Sequence, residues 1–146
     1  MDLNAVMSAI VTDLRSNLSD PISDSRQSAQ WVHRGAIKEV GKTPCVFVEP
    51  GPTGQGFEPV GGNKQLYPVI KVHCVIRAKD KGSSPLDTLL KDDDDELLDD
   101  IVQATINRMD GRHYGSGVCC LENISGEFPV DNYKKANTIT FTVTQG

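Results

Sequence analysis

Residues 92–100 read DDDDELLDD, and they place seven carboxylates in nine positions: Asp92, Asp93, Asp94, Asp95, Glu96, Asp99 and Asp100. Acids at this density could serve a calcium loop, a two-metal centre or an acid–base pair. A calcium loop of the EF-hand type counted from Asp92 needs Gly at position 97 and Glu at position 103, where the chain has Leu97 and Gln103. Counted from Asp93, Leu97 falls on a ligand position. Two-metal or acid–base chemistry needs ligands that converge from several elements, and this run has no His within it and no second ligand cluster elsewhere. A helix start explains the acids without any ligand. Carboxylates in a first helical turn face the positive end of the helix dipole, worth about 0.3 to 1 kcal/mol each. That gain offsets repulsion of a few tenths of a kcal/mol per exposed i, i+4 pair. Asp92, Asp95, Glu96, Asp99 and Asp100 therefore read as the wet face of a helix, or as an acidic wall that a partner meets.

The other reactive residues are scattered. Cys45, Cys74, Cys119 and Cys120 show no CxxC spacing, and Cys45 and Cys74 lie in strand-like runs where a free thiol acts as a small buried apolar group. Cys119 and Cys120 would point to opposite faces of a strand, as would His73 and Cys74, so neither pair is a chelate or a catalytic couple by itself. The glycine stretches GPTGQG, VGGNK and GSGVCC match no phosphate-binding loop and no nucleophile elbow, and they read as loops. No cofactor is expected.

The elements that would carry these residues follow from periodicity. Leu3, Val6, Met7, Ile10, Val11, Leu14 and Leu18 make one apolar helical stripe, with Thr12, Asp13 and Arg15 off it. The polar stretch 19–29 is a connector. Residues 30–40 and 44–49 are strand-like around a Gly41–Lys42 turn, which predicts a β-hairpin. Residues 50–65 hold five Gly and three Pro and read as a long loop. Residues 66–79 form the longest predicted strand, with Leu66, Ile70, Val72, Cys74, Ile76 and Ala78 on one face and Tyr67, Val69, Lys71, His73, Val75 and Arg77 on the other. Ser84 and Pro85 suit a cap and first helical position, so 86–91 reads as a short helical turn. From the acidic run onward, Leu97, Leu98, Ile101, Val102, Thr105 and Met109 share one side of a helix. Asp94 would fall in that stripe, so the helix begins there, with Asp93 as its N-cap and Gly111 as its C-terminal cap. Residues 118–124 and 137–145 are strands. In the last, Ile139, Phe141 and Val143 alternate with Thr138, Thr140, Thr142 and Thr144, one face core and the other wet or covered from outside the chain. The order is α-β-β-β-α-β-β.

Bulk properties fit one soluble domain over 1–146. Hydrophobic residues make up 38% and aromatics 5%, so the core should be aliphatic. A net charge of −5 argues against free-standing nucleic-acid binding. No apolar run approaches the roughly 18 residues of a membrane span. The N-terminal stretch lacks a basic start and a small-residue cleavage site, so a cytoplasmic protein is expected.

Taken together, the helix LNAVMSAIVTDLRSNL, a β block split by a glycine–proline loop, the helix ELLDDIVQATINRM and the closing strand NTITFTVTQG resemble the small tail-terminator and tail-completion proteins of tailed phages and related viruses. The resemblance covers nearly the whole chain and rests on order, size and pattern. It implies an α+β domain: a mainly antiparallel or mixed sheet with both amphipathic helices packed on one face. It also implies a homo-oligomeric ring, commonly a hexamer, at the head–tail joint of the virion. Such a ring ends tail-tube growth, meets the tail-tube and connector or neck proteins, is assembled in the host cytoplasm, and lets DNA pass without sequence-specific binding. No enzyme activity is implied. Two alternatives are another neck or tail-completion component, and a small metal-dependent hydrolase using the acidic helix edge. For an assembly protein the expected contacts are Phe57 and Glu58 in the long loop, because an exposed Phe wants cover, and the Thr138, Thr140, Thr142 and Thr144 face. The acids at 92–100 could line a lumen.

Overall fold

A computed structural model describes residues 2–18, 31–35, 44–51, 57–60, 63–66, 68–77, 94–126, 128–131 and 134–145. In chain order these form α1 (Leu3–Asn17), β1 (Val32–Arg34), β2 (Cys45–Pro50), β3 (Phe57–Val60), β4 (Asn63–Leu66), β5 (Val69–Arg77), α2 (Asp94–Met109), β6 (His113–Tyr114), β7 (Gly117–Ile124), β8 (Phe128–Asp131) and β9 (Lys134–Gln145). The expected α+β class holds: one mixed sheet, with both helices contributing to a single core on one of its faces.

Helix α1 starts where the Asp2 carboxylate accepts the free N–H groups of Asn4 and Ala5, at 3.0 and 3.4 Å. It ends as Leu18 turns extended. Its predicted stripe is buried from Val6 through Leu14. The described part of α2 runs from Asp94, and Leu97, Leu98, Ile101, Val102, Thr105 and Met109 are all buried. Gly111 then adopts φ +76°, a left-handed value open to glycine without strain, and closes the helix as predicted. The proposed cap Asp93 and the helical turn at 86–91 lie outside the described residues.

The sheet runs β1-β2-β5-β9-β7-β6, with β8 following β7 along the same side of β9. Central β5 carries its predicted core face: Ile70, Val72, Cys74 and Ile76 join the helices, while Val75 packs on the other side with Cys45, Phe47 and Ala136. Leu66 belongs to β4 rather than to this strand.

Two expectations are corrected. The predicted hairpin between 30–40 and 44–49 is a parallel pair, with His33 opposite Phe47. β1 stops at Arg34, where Gly35 turns to φ +124°. The predicted loop over 50–65 holds a separate two-stranded antiparallel sheet, β3 on β4, with Phe57 opposite Leu66 and Val60 opposite Asn63.

Helix α1 touches β1 and β2 at one edge of the sheet and β6 at the other. The sheet therefore curves around it. Polar ties fix α1 to β1: Arg15 Nε donates to the Val32 carbonyl at 3.0 Å, and Arg34 donates to Ser8 and Asn4, both at 2.8 Å.

Candidate functional site

Two polar clusters and one apolar rim stand out. The first cluster gathers on Asp13, two residues from Arg15 but turned toward the opposite edge of the sheet. Its carboxylate accepts both arms of the Arg108 guanidinium, with Nε at 2.9 Å, the Tyr114 hydroxyl at 2.7 Å and the Asn17 amide at 2.9 Å. The Arg108 hydrogen bonds hold the Asp13 pKa below its ordinary value of 3.8 against the opposing effect of burial. Burial and the Asp13 carboxylate push the Tyr114 hydroxyl well above its ordinary range. An acceptor saturated in this way is a clamp joining α1, α2 and β6. It has no capacity left for proton transfer. Beside it, Asn107, Arg108, Asp110, Gly111, Arg112 and His113 line a shallow depression of about 400 Å³. There Arg112 Nε donates to the Arg108 carbonyl.

The second cluster lies on the sheet face away from the helices. The His73 ring sits between Glu49 Oε1, 2.6 Å from Nε2, and Thr138 Oγ1, 2.7 Å from Nδ1. A carboxylate only accepts, so the neutral ring carries its proton on Nε2 and takes the Thr138 hydroxyl on Nδ1. The expectation that His73 faces away from Cys74 is met, and the hydroxyl–imidazole–carboxylate row is new. No short sequence spacing could signal it, because the three residues come from three strands. His73 and Thr138 are both buried.

This placement alters the threonine face. Thr138 and Thr140 are buried within the chain, while Thr142 and Thr144 are half-buried, and the Thr142 hydroxyl donates to Glu122. The face is therefore not a plain wet surface. Cys74 is buried among core residues, its pKa pushed up to about 12 by desolvation, and Cys119 is raised likewise to about 12. Cys120, on the other face of the same strand, is the one exposed thiol of the four.

Of the acidic run, Asp99 and Asp100 are exposed on α2, Asp95 and Glu96 lie in its first turn, and Asp92 falls outside the described residues. Phe57 and Glu58 lie on β3 of the small hairpin. Among the described residues, no group of three or more His, Cys, Asp or Glu is placed to hold a metal ion, and no helix is long and apolar enough to cross a membrane.

The apolar rim is at the outer side of β7. Leu121 and Ile124 are 36% and 46% exposed, the only large hydrophobic side chains so exposed among the described residues. Their partners on β9 are the core residues Phe141 and Ile139, so the rim continues the core face beyond the cover of the helices.

No protein-family profile matches this chain, and no curated protein matches it significantly in sequence.

Proposed function

We propose that this chain is a structural subunit of a tailed-virus particle, one copy of a homo-oligomeric ring at the head–tail joint. In this reading it ends growth of the tail tube and presents the tail to the connector or neck protein, and DNA passes through without specific recognition. The observation that supports it most is the β3–β4 hairpin. It forms a sheet of its own, off the ladder of the main sheet. A lone two-stranded hairpin is marginal in water, so an arm of this kind gains from a neighbour that packs on it. The apolar rim on β7 gives a second surface in need of cover. Two different surfaces on one subunit suit a head-to-tail contact, the kind that closes into rings.

The test is light scattering on the purified chain, electron microscopy, and addition to tail tubes. Rings that cap tubes are expected. Removing residues 53–62 should leave a folded monomer that assembles poorly. A strict monomer that never joins tubes or virions would overturn the reading.

A further inference from the structure

We propose that Thr138 is a nucleophile for acyl transfer from small esters, with His73 as its general base and Glu49 as the positioning residue that holds the base. The inference goes beyond the ring reading and does not depend on it.

The chemistry follows from the direction of the row. Hydroxyl, imidazole and carboxylate come from β9, β5 and β2, and they meet at 2.7 and 2.6 Å. The Glu49 carboxylate accepts the Nε2 proton, so the Nδ1 lone pair is left facing the Thr138 hydroxyl, the arrangement that activates an alcohol. Glu49 is committed to this task. Its direct neighbour in the register is Lys71, yet among the described residues it is the His73 ring that its carboxylate meets. Three paired strands fix the row, so the groups stand in place before any reaction begins. A donor for the developing oxyanion is at hand. Ser125 Oγ accepts the Thr138 N–H at 2.9 Å and keeps its own hydrogen to give. Thr138 keeps 8% of its surface open and Ser125 is exposed, so the site suits a small acyl group. The threonine methyl beside the hydroxyl adds to that restriction. In the reaction, Thr138 Oγ1 bonds to the ester carbonyl carbon as its proton passes to His73 Nδ1. The bond from that carbon to the alcohol oxygen breaks, and the leaving oxygen takes the proton from Nδ1. Water then attacks the Thr138 ester, its proton passes through Nδ1 to Thr138 Oγ1, and the acid is released.

The experiment pairs covalent labelling with kinetics. A small fluorophosphonate should label the unaltered chain at Thr138, located by peptide mass spectrometry. Hydrolysis of p-nitrophenyl acetate is followed in the Cys120→Ser chain, which lacks the one exposed thiol and so any ester cleavage by it. In that chain Thr138→Ser should keep the activity. Thr138→Val, of nearly the same shape, and His73→Gln should each lower it at least about a hundredfold. Glu49→Gln should lower kcat and leave KM unchanged, because the carboxylate orients the ring and does not touch the ester. Circular dichroism checks that each variant is folded, and the labelling of the unaltered chain decides the matter where one is not. A folded native chain that takes no label at Thr138, or a folded Thr138→Val chain that cleaves the ester as fast as its parent, would overturn the proposal. Neither result bears on whether rings form, so the two readings fail separately.

Discussion

The Asp13 carboxylate illustrates how one residue off an apolar stripe can decide how elements meet. Four donors converge on it from α1, α2 and β6, so its charge is worth more in the folded chain than in the unfolded one, and its pKa is depressed. The unfolded chain then binds the proton more tightly, and stability rises with pH across the window between the two values. The contribution is complete above the ordinary value of 3.8 and is lost as the pH falls through the depressed folded value. Urea melts taken between about pH 5 and about pH 3 should show this loss in the native chain and a flatter dependence in Asp13→Asn. Tyr114→Phe, which removes one donor, should cost about 0.5–1.5 kcal/mol in the same melts at neutral pH. The thiols give an independent check on burial. Three of the four are buried, and thiolate is the reactive form. Ellman's reagent should titrate one thiol, Cys120, in the native chain and all four after denaturation; two or more fast thiols in the native state would contradict the strand faces assigned to Cys74 and Cys119.

At the scale of elements, periodicity carried the reading as far as an amphipathic pattern can. Both helical stripes, the core face of β5 and the alternation of β9 appear in the structure, because a buried face leaves a repeat of about 3.6 or 2 in the sequence. Gly111 was legible for a local reason, the left-handed turn that ends α2. Gly111→Ala should cost about 1 kcal/mol, read as a lower Tm, even though open space surrounds the position where the new methyl would sit. Pairing partners were not legible. Residues 30–40 look equally strand-like whether β1 meets β2 in parallel or antiparallel fashion, because the direction of pairing leaves no mark in the hydrophobic pattern. The β3–β4 hairpin escaped because five glycines and three prolines mask a strand pattern. Strands of two and four residues, β6 and β8, are too short to establish a period. The row Glu49–His73–Thr138 was invisible for a related reason: cross-strand neighbours are fixed by register, and register is set by the whole sheet.

Across the whole molecule, the hydrogen-bond ladder predicts an order of opening. β5 is paired along its length with β9 and over much of it with β2, and β9 takes β5 on one side and β7 then β8 on the other. Their backbone groups are satisfied from both sides and their core faces lie under the helices, so they should open only when the whole chain unfolds. β1 is an edge, yet Arg15 and Arg34 tie it to α1, and α1 is clamped through Asp13 to Arg108 and Tyr114 at the far edge. Releasing α1 therefore frees both edges of a curved sheet at once, which makes the helix part of the global unit and not a separable cover. The β3–β4 hairpin and the end of β7 lack such support. Hydrogen exchange followed by mass spectrometry should then show slowest exchange in peptides of β5 and β9, α1 close behind, and fastest exchange in the hairpin and at 121–126. An α1 that exchanges much faster than β5 would show that its ties to the two edges do not hold the curved sheet closed.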